Sequence, residues 1–247
     1  MGESKIHYRH APLIEAIFEL FVVNSRWTDS SIQNLDRQFS TEFGGKHEQL
    51  QGNNIEIKLT PNGPLVEHKP QVQTYRRWRE DRQQLVQYSS AMCAFNALRP
   101  YSHFVDYLPS IERLFRAYLN ETRPESVLFL GQRYINHITL PSRDTPPWDY
   151  FTVYPRLPDT EIPGIFGIQI QTARLSHGQV VMNLTRMGQQ QPAYSLDIYA
   201  RTEDRPGLAT AWDALVPWLD EAHVKVKQCF EFGLQPKAQE MLGREEV

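Results

Sequence analysis

Glu15 and Glu19 stand four residues apart in Leu13–Val23, a run whose alternation puts both on one face of a strand. Two carboxylates fixed on one sheet face are residue types suited to general acid–base work. A second long strand is expected over Ser126–Leu140, and there Arg133 and His137 also share a face. If the two strands lie side by side, the four residues meet and an enzyme of unfamiliar type becomes conceivable. The plainer and preferred reading is a structural ion pair of Glu15 with Arg133, because opposite charges on neighbouring strands fix register without doing chemistry.

The segment Tyr75–Arg82 is the other suggestive run. Tyr75, Arg76, Arg77, Trp78, Arg79 and Arg82 interleave cations with aromatics, a pattern that can hold a phosphate backbone and stack bases. Nucleic-acid or nucleotide binding through this strand is therefore an alternative but not the favoured one. Glu80 and Asp81 lie in the same run, the formal net charge is -3, and a sheet face crossed by salt bridges explains the pattern as well.

Other chemistries lack their residues. The sequence has no GxGxxG, no GxxxxGK[ST] and no GxSxG, and its 8 histidines form neither HxxxH nor HExxH. His7 and His10 are three apart in a stretch with no helical frame for shared ligation. Cys93 and Cys229 sit in apolar surroundings and read as small buried hydrophobes with reduced thiols. No catalytic residue, metal site or cofactor is expected on these grounds.

The elements that would position these residues follow from periodicity. In Leu13–Val23 the even residues Ile14, Ala16, Phe18, Leu20 and Val22 form an apolar face that needs helices against it. Asp29 or Ser30 can cap a helix to about Phe43, with Ile32, Leu35, Phe39 and Phe43 as its stripe. Four strands are expected at about Asn54–Thr60, Leu65–His68, Gln73–Arg79 and Gln84–Ser90, followed by a helix over Pro109–Asn120. The second long strand comes next, then a Pro-rich, mobile insert over 141–163. Strands at about Ile165–Leu175, Val180–Arg186 and Ala193–Ala200 lead to a last helix, Pro206–Phe232, which Pro217 should kink or divide. The tail from Gln235 is expected to fray.

The order is strand, helix, strands, helix, then strand, insert, strands, helix. It predicts an α+β fold, a mainly antiparallel curved sheet with helices on one face. The two halves, 1–123 and 124–247, read as pseudo-duplicated β-α-β(4)-α units of TBP-like order packed as one compact body. At 247 residues, with 40% hydrophobic and 22% charged, the chain can bury a core without a staple. No apolar run approaches the ~20 residues that span a bilayer, and the start MGESKIHYRH lacks a signal-peptide core, so a cytoplasmic protein is expected.

Four stretches in order resemble a sporadically distributed bacterial family of about this length. His10–Glu19 resembles its opening PPI(V/I)EA strand, with His10 in place of the first proline. Gly131–Asn136 is similar to its central G-x-RYIN strand. Leu196-Asp197-Ile198 resembles its LDID strand, with Tyr199 where an acid is common. Trp212, Leu215, His223, Phe230 and Glu231 look like its closing helix, interrupted by Pro217-Trp218. The resemblance implies no enzymatic activity or cofactor, and for some members an accessory role in antiviral defence loci, including CRISPR-linked ones. The leading expectation is accordingly a non-enzymatic accessory or regulatory protein that binds another protein. Trp27, Trp78, Trp148 and Tyr150 are the aromatics expected on its partner surface.

Overall fold

The computed structural model describes residues 6–52, 55–60, 63–68, 72–154, 167–188, 192–204 and 207–246, and only the backbone over 52–72. In chain order the elements are β1 (Ile6–Tyr8), β2 (Leu13–Val23), α1 (Asp29–Phe39), β3 (His47–Gly52), β4 (Ile55–Thr60), β5 (Gly63–His68), β6 (Val72–Trp78), β7 (Gln84–Tyr88) and β8 (Met92–Leu98). They continue with α2 (Phe104–Thr122), β9 (Ser126–Thr139), β10 (Gly167–Leu175), β11 (Gly178–Arg186), β12 (Ala193–Thr202), α3 (Trp212–Gly233), α4 (Pro236–Met241) and β13 (Arg244–Glu246). The fold is α+β, built on a curved, unclosed, antiparallel sheet of nine strands ordered β10-β11-β12-β9-β2-β8-β7-β6-β3.

That order is mirrored about the central β2–β9 pair. Each half contributes its first strand to the centre, sets its last strand beside it, and steps outward to its second strand at the edge. β2 and β9 run antiparallel with Ile17 opposite Arg133, and irregularities at Leu13/Glu15 and Phe21/Val22 bend the pair. Among the described residues the halves differ in two respects: the first sets five strands in the sheet and the second four, and α1 follows β2 while the described part of the stretch after β9 holds only a short 3-10 turn, Pro147–Asp149.

Parity explains the layers. The even residues Ala16, Phe18 and Leu20 of β2 are fully buried, as are Leu130 of β9 and Leu196, Ile198 and Ala200 of β12. Against them lie Ile111, Leu114, Phe115 and Tyr118 of α2 and Leu215, Leu219 and Ala222 of α3, also fully buried. Each such Leu, Ile or Phe contributes roughly 1.5–3 kcal/mol relative to an exposed position. α1 adds Leu35 and Phe39, and Phe43 follows in the turn beyond it.

The structure revises several local expectations. Thr28, not Asp29 or Ser30, caps α1, its hydroxyl accepting from the Ser31 N–H at 3.3 Å. α2 begins at Phe104, five residues ahead of Pro109, and α3 begins at Trp212 and passes Pro217 as one helix. The tail does not fray: α4 packs through Ala238 and Leu242, and β13 pairs with β1 to join the two ends of the described chain. In the described part of the insert, residues 149–152 are tied to the end of α3 and to α4, with Phe151 buried and bridged to Leu234, Lys237 paired with Asp149 at 2.6 Å, and the Thr152 N–H donating to Gly233 O. Residues 155–163 of the same insert lie outside the described residues.

Candidate ligand-binding cavity

The predicted Glu15–Arg133 pair is not the pair that forms. The parity was correct, and both side chains lie on the sheet face turned away from the helices. Arg133 nevertheless makes a two-pronged contact with Asp197 of β12, Nε to Oδ1 at 2.8 Å and the second nitrogen to Oδ2 at 2.6 Å. Glu15 accepts from Asn96 Nδ2 at 2.7 Å. Asp197 and Glu15 are both diagonal neighbours of Arg133, one on each flanking strand. A single guanidinium fork satisfies one carboxylate completely, and the shorter, more buried Asp197 is the one left without another solution. Arg133 is held charged by that hydrogen bond, against the opposing effect of burial.

Glu19 is likewise internal. It accepts a short hydrogen bond from Tyr199 Oη, and burial raises its pKa despite Tyr199, Arg133 and Arg201. Gly131 makes room for it: a Cβ there would come within 2.5 Å of Glu19 Oε1 and 2.8 Å of Tyr199 Oη. His137 lies apart from these three, on the wall of a cavity that Glu15, Glu19 and Arg133 do not line. The four-residue constellation is thus divided into three separate partnerships.

Three of the four cations of Tyr75–Arg82 are also engaged by side-chain partners. Alternation sends Tyr75 and Arg77 toward α1, where Arg77 Nε meets Asp36 Oδ1 at 2.7 Å and Tyr75 stacks on Tyr88. Asp36 is held below the usual carboxylate range: burial opposes this, but the hydrogen bonds from Arg77 and Tyr88 outweigh it. On the other face Arg76 donates to Gln87 and Trp78 to Glu48, both at 2.6 Å. Arg79 pairs with Asp81 at 3.3 Å, and Arg82 lines a small niche with Trp78, Lys46 and Glu48.

The four aromatics expected on a partner surface are half-buried rather than exposed. Trp27 packs between Tyr75 and Tyr118, and Trp148 and Tyr150 lie against the core beside Tyr154 and Phe151. A large flat side chain next to other rings gains more by packing than by display. The described apolar residues that do stand exposed are Leu50, Val105, Met187, Val224 and Phe232.

What the sequence did not disclose is a cavity of about 890 Å³ where β2 begins, β9 ends, α2 starts and α3 passes its midpoint. Its inner wall is apolar, with Leu13, Ile138, Ile198, Val226 and Phe230 from four elements. Its outer wall is β1 with the residues that follow it, and Met241 and Leu242 at the end of α4. Tyr8 sets its ring edge-on to Phe230 at 5.4 Å, and Arg9 and His10 donate backbone N–H groups to Gly243 and Leu242. Gly243 adopts φ +68° in the turn that makes this approach, a conformation other residues reach only with strain.

Where α2, α3 and β9 meet, a set of uncharged polar groups converges. His223 of α3 stacks on Phe104 of α2, centroids 4.4 Å apart and planes at 18°. Its Nδ1 lies 3.1 Å from Tyr134 Oη, which accepts from Gln132 Nε2 at 2.8 Å and lies 3.4 Å from Tyr101 Oη. The Tyr134 hydroxyl hydrogen is thereby available to Nδ1. Burial, with Lys227 adding to it, pushes His223 down to about 4, so the ring is uncharged at neutral pH. Burial also raises Tyr101 and Tyr134. Five histidines line the cavity (His7, His10, His103, His137 and His223), yet among the described residues no group of three His, Cys, Asp or Glu comes together as a metal would require.

Residues of the motif-like stretches meet in pairs: Arg133 with Asp197, and Tyr134 with His223. No protein-family model and no curated protein matches the sequence.

Proposed function

We propose that this chain is a non-catalytic binding protein whose cavity houses a small organic molecule. The observation that carries the reading is the cavity itself. Its volume falls within the ~300–1,000 Å³ of typical ligand sites, its inner wall is apolar, and a few polar groups converge in it. Binding is favoured over turnover because His223, Tyr134 and Gln132 are hydrogen-bonded to one another, forming an uncharged, orienting patch rather than an acid–base pair matched to neutral pH. Occupancy would bear on β1 in the outer wall and, through its pairing, on β13, a route by which a bound ligand alters the surface seen by another protein.

The test is saturable binding of the neutral apolar dye N-phenyl-1-naphthylamine, with two blocking variants, Val226→Trp and Ile198→Phe. The unaltered chain should bind with single-site saturation, and each variant that unfolds cooperatively should lose most of that binding. Dye binding that persists in a folded blocked variant overturns the reading.

The four motif-like stretches support a second reading, a cytoplasmic accessory protein of bacterial antiviral defence that works by binding another protein. On the structural side, Phe232 and Val224 of α3 are 60% and 41% exposed, apolar groups of the kind that interfaces cover. No helix among the described residues is long and apolar enough to cross a membrane.

A further inference from the structure

The charges around the cavity are one-sided. Its permanently charged lining residues are Arg9, Arg99 and Lys227 against a single carboxylate, Glu231. Glu231 is already engaged, 3.4 Å from Arg244 and beside the buried Tyr8 hydroxyl. Arg9 is paired as well, with Glu245 at 2.8 Å. Arg99 differs. It sits at the rim between β8 and α2, and among the described residues it makes no ion pair. Its guanidinium reaches only the Pro12 and Leu13 carbonyl oxygens, each at 3.5 Å, the outer limit of a hydrogen bond. A guanidinium presents five N–H donors in a rigid fork, so two long backbone contacts leave most of its donors unused. His137, on the same rim, loses proton affinity through burial and the Arg99 charge, which places its ring in the field of that guanidinium.

Resting on the reading of the cavity as a ligand site, we infer that the ligand is an organic anion with an apolar body, its anionic head set against Arg99 at the rim and its body lying along Val226, Ile198 and the Phe104–His223 stack. The two ends of the cavity demand different chemistry. A cationic ligand would meet Arg99 and Lys227 with like charge, and a fully polar one would leave the apolar wall uncovered. A neutral apolar molecule would fill the interior but leave the Arg99 fork unused. A carboxylate answers the fork with two parallel hydrogen bonds, and an apolar body behind it covers the apolar wall.

The experiment is displacement of the neutral dye N-phenyl-1-naphthylamine by three ligands of equal chain length: decanoate, decanol and decylammonium. Decanoate should displace the dye at a concentration about tenfold lower than decanol, and decylammonium should be the weakest. In Arg99→Met the decanoate advantage should shrink to within about twofold while decanol is unchanged, and raising salt should weaken decanoate but not decanol. Decanol or decylammonium equal to decanoate, displacing through a cavity that Val226→Trp or Ile198→Phe still blocks, would overturn the anion inference and leave the cavity reading standing. An anion preference that survives Arg99→Met would remove Arg99 as its source and overturn the inference as stated. Displacement by none of the three, or by all three equally in the blocked variants, would overturn both.

Discussion

At the scale of single residues, the sequence carried parity faithfully but not partnership. Glu15 and Arg133 do share the face away from the helices, yet Arg133 turns to Asp197 because a third strand, β12, brings a second acid equally near. Pairwise reasoning on two strands cannot see that competitor. Arg133→Met and Asp197→Asn should each destabilise by about 1–3 kcal/mol, and the double variant by clearly less than the sum, because removing one partner leaves the other's charge uncompensated. Glu15→Gln should cost less and add independently; urea titrations that found coupling to Glu15 and none to Asp197 would refute the assignment. His223 gives a prediction in pH. Its folded value of about 4 lies below the ordinary histidine value near 6.5, so the unfolded chain binds the proton more tightly. Stability from keeping the ring neutral is fully present above about pH 6.5 and is lost as pH falls toward 4, by up to about 3 kcal/mol. The groups that face it include Phe104, Tyr134 and Lys227. His223→Phe should therefore flatten the pH dependence between 6.5 and 4, whereas an unchanged slope would show that the ring is solvated.

At the scale of elements, the strands with a clean two-residue period were legible. β2 matches its expected bounds, and β9, β11 and β12 differ from theirs by only a few residues. The missed strands have physical reasons. β8 reads Met-Cys-Ala-Phe-Asn-Ala-Leu and is buried on both faces, so it lacks alternation. β3 is a polar edge strand, His-Glu-Gln-Leu-Gln-Gly, with little apolar pattern to announce it. The start of α2 was missed because Pro109 read as a first-turn residue, while the helix in fact starts at Phe104, capped by Asp106 and the His103 N–H. Pro109 is exposed, lacks the N–H that would bond Val105 O, and crowds that carbonyl. Pro109→Ala should accordingly raise stability by about 1–2 kcal/mol after the gain in unfolded-chain entropy is subtracted. A lower denaturation midpoint in that variant would mean that the proline ring has a packing role the helix geometry does not reveal.

At the scale of the whole molecule, the α+β class and the mainly antiparallel curved sheet were readable from the chain, while the mirrored strand order emerges only in three dimensions. The cavity was not readable either. His10, Arg99, Tyr134, His223 and Leu242 lie far apart in sequence and carry no shared spacing, and only the meeting of β9 with α2, α3, β1 and the end of α4 assembles them. The one trace in the sequence was that Tyr134 and His223 belonged to separate motif-like stretches, whose contact could be seen only in three dimensions. The most direct test of the account is intermolecular NOE spectroscopy on methyl-labelled protein saturated with decanoate. The account predicts contacts from the ligand chain to the methyl groups of Val226, Ile138 and Ile198 and none to Val224. Contacts confined to exposed methyls such as Val224, Val105 or Leu50, with the three inner methyls silent, would contradict it.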